Sequence, residues 1–295
     1  MTRAAPAILV FGSNGQLGRS LAALGASRIQ TIGRDQIDLE QSTGEIDGII
    51  QRSNASAVVN AAAWTAVDLA EAEPNRAFLV NAEAPAAMAA ACKRLGLPFV
   101  HVSTDYVFDG SGRKAWSEDD PTGPLNVYGQ TKLAGEKAVM AAHNEALIVR
   151  TSWVVSEYGK NFVRTMLGLA DRPELRIVGD QFGVPTDARE LARFILNALD
   201  RHELGTGPDR SGILHFRNSG EPVSWADFAT DIFEAAGGPA PTIVPISTQE
   251  FGAPAPRPQN SVLSLDRLAR VWAWRPATWR EGVRRIVSAL QANAD

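Results

Sequence analysis

The 295-residue chain has a single cysteine, Cys92, so no disulfide can form within it, and a reducing compartment is expected. Cys92 falls in an alanine-rich helical pattern and reads as a small buried apolar residue. No apolar run approaches the roughly 18 residues a membrane span needs. The apolar stretch after Arg3 ends at once in a glycine loop, which is not the pattern of a signal peptide. A cytoplasmic protein without a membrane partner is therefore expected. Basic runs are missing too, and a net charge of -4 with a pI near 5.7 argues against a nucleic-acid surface. Internal repeats and low-complexity tails are absent. What is there is ordinary: 45% hydrophobic and 21% charged residues, in a chain long enough for one large or two modest domains.

Tyrosine and lysine are scarce, at three and five residues, yet Tyr128 and Lys132 stand four apart in a segment that continues as a helical pattern through Lys137. Chance predicts roughly 0.05 such spacings in this composition. On a helix the phenol and the ammonium share one face. A free phenol ionises near pH ~10, and an adjacent cation favours the phenolate, which brings proton release closer to neutral pH. A carbonyl that receives hydride at carbon needs such a donor at oxygen.

Upstream, the buried-strand pattern of residues 7–11 runs into Gly12-Ser13-Asn14-Gly15-Gln16-Leu17-Gly18, which opens a helix over residues 16–24. Glycines let the backbone turn tightly and approach a pyrophosphate, whose charge meets the helix N-terminus. The two features together resemble the extended short-chain dehydrogenase/reductase superfamily, whose motifs are G-x-x-G-x-x-G and Y-x-x-x-K. The resemblance implies an α/β fold, a Rossmann-type doubly wound parallel sheet, with a nicotinamide dinucleotide held by Gly12, Asn14, Gly15, Gln16, Leu17 and Gly18.

A second strand at 29–32 ends in Gly33-Arg34-Asp35. An acid at this place bonds a ribose 2′-hydroxyl, whereas an arginine accommodates a 2′-phosphate. Arg34 points to NADPH, and the neighbouring Asp35 leaves NADH usable. Asp38 and Leu39 resemble the pair that borders the adenine in the superfamily, although Asp38 also reads as a helix cap or turn residue. A third strand, 57–60, leads into Ala61, Ala62 and Ala63, small residues that leave room for a ribose and nicotinamide. The helical pattern over 74–95 contains Asn81, whose amide faces either the cofactor or solvent. Residues 99–110 read as a strand that brings the Thr104 hydroxyl to the same edge, where it can bond a carbonyl oxygen, or simply cap a turn. His101, inside it, reads as a core residue. A fifth strand, 146–153, ends in Trp153. Beyond residue 155 the pattern loosens into helices at 161–169, 187–199 and 224–235 and short strands at 175–178, 213–216 and 243–245. Pro/Gly-rich connectors at 205–212, 237–241 and 252–258 separate them. The layout predicts a dinucleotide-binding domain over 1–155, completed by a later strand and helices, and a smaller C-terminal α/β substrate-binding lobe, mainly 156–295.

Longer strings sharpen the resemblance. Residues 59–68, Ser103 to Phe108, Leu125 to Gly129, Arg150 to Trp153, Asp180 to Gly183 and Arg257 to Ser261 closely resemble the dTDP-4-dehydrorhamnose reductase family. That resemblance implies reduction of dTDP-4-dehydro-6-deoxy-L-mannose to dTDP-L-rhamnose, the last step in making that sugar donor. It assigns Thr104, Tyr128 and Lys132 as catalytic, Tyr128 and Lys132 also touching the cofactor, and Val67, Thr104, Asp105, Trp153 and Arg257 as facing the dTDP-sugar. Arg257 reads equally as a structural ion-pair residue. Some family members bind Mg2+ between subunits through glutamates, one matching Glu190. The C-terminal Gln291-Ala292-Asn293-Ala294 offers no second, which speaks against bound metal and leaves Glu190 as a solvated helix residue. Either a monomer or a homodimer is compatible with these features. Four rivals remain: a dehydratase, weakened because Tyr106 stands where those enzymes carry a glutamate; another NDP-4-keto-6-deoxysugar reductase, such as one forming the talose epimer, which would show the same triad; an epimerase, which would keep its cofactor bound; and a non-catalytic cofactor-binding regulatory subunit.

Overall fold

The structure, a computed structural model, describes residues 7–41, 43–201, 204 and 210–292. Six parallel strands form one sheet. The first five in chain order are β1 (Ile8–Phe11), β2 (Ile29–Ile32), β3 (Ala57–Asn60), β4 (Phe99–Thr104) and β5 (Leu147–Thr151), and the sixth is Gly212–His215. Across the sheet the order runs β2, β1, β3, β4, β5, sixth strand. All four residues of β1 and of β3 are buried, which is why β1 and the first three residues of β3 are apolar: helices cover both faces.

On one face Leu17 and Leu21 of helix α1 (Gln16–Gly25) pack with Leu191, Phe194 and Ile195 of the helix Ala188–Asp200. On the other, Ile46 and Ile50 meet Met88, Cys92 and Val139. A third core gathers the helices Phe162–Leu167, Trp225–Ala236 and Trp279–Ala292 around Met166, Phe228, Ile232, Trp279 and Ile286. Beside it Glu174–Val178 pairs in parallel with Thr242–Ile246. The chain leaves β1 toward β2 on one side, while β3 takes up position on the other. The loops after β1 and β3 therefore part, and they open a crevice at the carboxyl ends of the strands.

Two elements depart from the sequence expectation. The strand expected over 99–110 stops at Thr104, whose Oγ1 accepts the Tyr106 N–H at 3.2 Å and turns the chain into a short 3-10 helix, Asp105–Val107. The β-forming residues beyond it are buried for another reason: Val107 and Phe108 pack with Leu263. The helical stretch 74–95 is continuous but irregular, with Pro74–Phe78 and Ala84–Leu95 joined by a π-helical turn at Leu79–Glu83. Pro85 explains this, because it has no N–H to give the Asn81 carbonyl four residues back. Residues 205–209 of the expected connector, Arg3, Asn293 and Ala294 lie outside the described residues. No helix among the described residues is long and apolar enough to cross a membrane.

The irregular turn matters because it lies against the helix Val127–Ala142, where a Cβ on Gly135 would collide with the Asn81 carbonyl oxygen. Gly135→Ala is expected to destabilise the fold by about 1–3 kcal/mol through overpacking. Urea denaturation checks this, and an unchanged midpoint would mean that the two helices separate at no cost.

Candidate active site

The glycine loop is built for close approach. Gly12 has φ +102°, and a Cβ there would lie 2.8 Å from the backbone of Ala61 and Ala62, so the loops after β1 and β3 touch through a residue without a side chain. At Gly18 a Cβ would run into the Gly12 carbonyl oxygen, which lets α1 start directly beneath the loop. The resulting cleft, about 650 Å³, runs from this loop to the start of the helix Val127–Ala142. Its lining includes Gly12, Asn14, Gly15, Gln16, Leu17, Arg34, Asp38, Leu39, Ala61, Ala62, Ala63, Val67, Thr104, Asp105, Tyr128, Lys132 and Trp153. Gly18, Asn81 and Arg257 are not among its walls.

The helix carrying Tyr128 begins where Asn126 places it. Asn126 Oδ1 accepts the Gly129 N–H at 2.8 Å, capping the first turn, while its Nδ2 donates to the Pro256 carbonyl at 2.8 Å. One turn on, Lys132 is 1% exposed and donates from Nζ to the Val102 carbonyl at 2.6 Å. Another turn on, the buried Glu136 accepts from Ser103 Oγ at 2.6 Å and from Arg150 Nε and Nη2 at 2.9 and 2.7 Å. Thr104, at the mouth of β4, hydrogen-bonds the Tyr128 phenol and also the Asp105 carboxylate, to which it donates at 3.1 Å.

The electrostatics differ from the expectation that the lysine would draw the phenol toward ionisation. Burial pushes Tyr128 up to about 12; its bond to Thr104 pulls the other way, and Asp105 adds to the rise. Burial also brings Lys132 down to about 8, against the pull of Glu136. Desolvation thus outweighs pairing for both groups. Asp105 is lifted to about 7, again by burial first. His101 is fully buried beside Asn60 Nδ2 at 3.0 Å, with its pKa driven well below the usual range by burial and then by Lys132.

Several expected site residues have other commitments. The Asn81 amide faces neither the cleft nor solvent. It is fully buried, accepting from Trp64 N at 2.9 Å and donating to Trp64 O and Thr131 Oγ1, so it ties the loop after β3 to the Tyr128 helix. Arg257 pairs with Asp68 at 2.8 Å. Gln16 donates to the Val154 carbonyl at 3.0 Å and accepts from Ser156 Oγ at 3.0 Å, which fastens the segment after β5 over the glycine loop. Trp153 has φ +48°, an uncommon backbone state for a bulky residue. Its ring lies 3.5 Å from that of Trp225, and a Cβ on Gly183 would be 2.5 Å from it. Glu190 is not the solvated residue expected: it is 8% exposed and paired with Arg193 at 3.2 Å. The described residues contain no cluster of three or more His, Cys, Asp and Glu side chains able to hold a metal.

A glycine cradle, a buried Tyr/Lys helix and a threonine at the sheet edge are the frame against which known proteins compare. The family model described as the RmlD substrate binding domain matches residues 6–292. The chain belongs to this family. Among the family's curated proteins, the dTDP-4-dehydrorhamnose reductases of Burkholderia thailandensis and Sinorhizobium fredii are 45% and 42% identical to it, over 96% of this chain and 98% and 97% of theirs. A solved dTDP-4-dehydrorhamnose reductase of Clostridium acetobutylicum superposes with a TM-score of 0.89 at 35% identity, covering 96% of this chain and 99% of that one. The Bacillus anthracis reductase, solved in complex with NADP, gives 0.88 at 34%, with the same coverage.

This family member also brings residues to the cleft that the sequence did not single out for it. Glu40, Ser103, Lys160 and Trp225 line it. Lys160 follows Gly159, on which a Cβ would lie 3.7 Å from the Gln16 side chain, so it arrives beside the glycine loop from 144 positions after Gln16. No local pattern could have signalled that. The Glu136–Arg150 pair beneath the site is almost completely buried. Arg150→Met is expected to cost about 3–5 kcal/mol by stranding a buried carboxylate. The double change with Glu136→Leu is expected to cost less, as thermal or urea denaturation would show.

Proposed function

We propose that the chain reduces the 4-keto group of dTDP-4-dehydro-6-deoxy-L-mannose to give dTDP-L-rhamnose, using NADPH and also accepting NADH. The observation that carries this reading is the convergence of Thr104, Tyr128 and Lys132 at the carboxyl edge of the sheet, in one cleft with the glycine cradle. Support comes from full-length relatives named dTDP-4-dehydrorhamnose reductase and from the NADP-bound Bacillus anthracis structure. Gly12, which can carry no Cβ against Ala61, fits a dinucleotide diphosphate at the start of α1. A bound nicotinamide supplies the hydride.

The chain's own residues handle the oxygen. As hydride adds to the carbonyl carbon, the C=O electron pair moves onto oxygen, and the Tyr128 phenol delivers a proton there. A phenol held up at about 12 is loaded at neutral pH, and it is still a far stronger acid than the sugar alcohol it creates. Thr104 orients phenol and carbonyl, and Lys132 keeps positive charge one helical turn away, placed to bond the nicotinamide ribose. Val67, Asp105 and Trp153 form the substrate side of the cleft. Arg257 serves it indirectly, by holding Asp68 next to Val67. Residues 1–155 with the sixth strand would carry the cofactor, and 156–295 mainly the sugar nucleotide.

A coupled assay with enzymatically generated dTDP-4-dehydro-6-deoxy-L-mannose tests the reading, following NADPH and NADH oxidation separately and identifying the product by NMR. Cofactor oxidation with dTDP-L-rhamnose formed is the expected result; cofactor binding without turnover would refute it. Tyr128→Phe is expected to lower kcat by ~10²–10⁴-fold while cofactor affinity stays near that of the parent, as fluorescence titration would report.

The pH profile follows from Lys132. Its pKa is lowered to about 8, so the ammonium is present below that pH and lost above it. kcat/KM is therefore expected to fall about tenfold per pH unit above 8. Tyr128 stays protonated across this range and adds no limb of its own. A profile flat to pH 10 would remove the ammonium from the mechanism.

A further inference from the structure

The end of the cleft beyond β2 holds an arrangement that the reductase reading does not use. Glu40 lines the cleft, yet its side chain is only 7% exposed. Oε1 accepts from Arg34 and Oε2 from Arg76 Nε at 2.6 Å. The two guanidiniums come from separate segments, the loop after β2 and the helix Pro74–Phe78, and they converge on one carboxylate. Each is anchored again: Arg34 lies 3.6 Å from Asp38, while Arg76 bonds Glu73 and sits over the Trp64 ring at 5.0 Å from its centre. Asp38 Oδ1 in turn accepts the Glu40 N–H at 3.1 Å, which fixes the carboxylate where it is.

Two guanidiniums closing on one oxyanion is the arrangement proteins use to hold a phosphate. In this fold the end of β2 is where the adenosine ribose presents its 2′ position. We propose that Glu40 is a built-in substitute for the 2′-phosphate and sets the cofactor preference, with Arg34 and Arg76 as the two phosphate-binding groups. The proposal rests on the nicotinamide-dependent reading above. The cluster as built holds two positive and three negative charges (Arg34 and Arg76 against Asp38, Glu40 and Glu73), so it favours no further anion. A 2′-hydroxyl can donate to Asp38 or Glu40 with nothing displaced. A 2′-phosphate, carrying about -1.5 to -2, must first move Glu40 off both arginines. Arg34 alone would favour NADPH strongly; Glu40 narrows that preference and keeps NADH in use.

The test is Glu40→Gln, which keeps the side chain's size and removes its charge, with Kd for NADPH and for NADH measured by fluorescence titration of the intact protein and kcat/KM taken with each. The NADPH constant is expected to tighten about tenfold or more, one charge-assisted contact's worth, and the NADH constant to move far less. Adding Arg76→Ala to Glu40→Gln should then remove the NADPH gain. An unchanged ratio, or parallel weakening of both cofactors, would overturn the proposal by making Glu40 a brace for the loop. Should Glu40→Gln not fold, Arg76→Met gives a second reading: loss of NADPH affinity alone supports the proposal, and equal loss of both cofactors overturns it. If the parent protein binds neither cofactor, the reductase reading falls first and takes this one with it.

Discussion

A lysine ammonium 1% exposed is the constraint on which this structure turns. Taking that charge out of water is costly, and the fold meets the cost with a carbonyl at 2.6 Å and the field of Glu136 one turn along the helix. Glu136 is itself buried, so it needs Arg150 from β5 and Ser103 from β4. Holding one ammonium therefore locks the Tyr128 helix to two neighbouring strands. Because Val102 supplies the carbonyl and Thr104 stands two residues on, the same lock brings the threonine hydroxyl to the phenol. Even so, burial wins part of the contest and leaves Lys132 down at about 8.

Much of this was legible in the residue order. A parallel sheet covered on both faces needs strands that are apolar almost throughout, and Ile8 to Phe11 and Ala57 to Val59 show that plainly. The glycine spacing and the Tyr/Lys spacing are local geometry, so they survive the passage from chain to fold unchanged. Where local pattern failed, a long-range partner was responsible. Val107 and Phe108 look like strand because they are buried and β-forming, but what buries them is Leu263 and the turn set by Thr104. Asn81 looked like a group with a choice between cofactor and solvent, and its amide is instead buried away from the cleft, used by Trp64 and Thr131.

Charged residues were the least legible for the same reason. A carboxylate's role depends on which cation reaches it, and Glu40 takes Arg76 from 36 positions away while Asp68 takes Arg257 from 189. Glu190 illustrates the opposite case. Its partner Arg193 is only three residues on, and what the sequence hid was its burial at 8% exposure.

The two ends of the cleft are built on different principles, and that difference has a functional meaning. At the Tyr128 end, Thr104, Lys132, Glu136 and Arg150 are all at least nine-tenths buried, and Lys132, Glu136 and Arg150 lean on one another, so changing any of these three disturbs the rest. At the end beyond β2, Arg34 and Arg76 are 65% and 50% exposed and share Glu40, each with one further carboxylate beside it, Asp38 or Glu73. Exposed pairs of this kind contribute little to stability, so they can be rearranged without threatening the fold. On the proposed reading, the chemistry of proton delivery is fixed by the core of the protein, whereas the choice of dinucleotide rests on a few surface charges. A chain organised in this way can keep its reaction constant while its cofactor preference shifts with a single substitution.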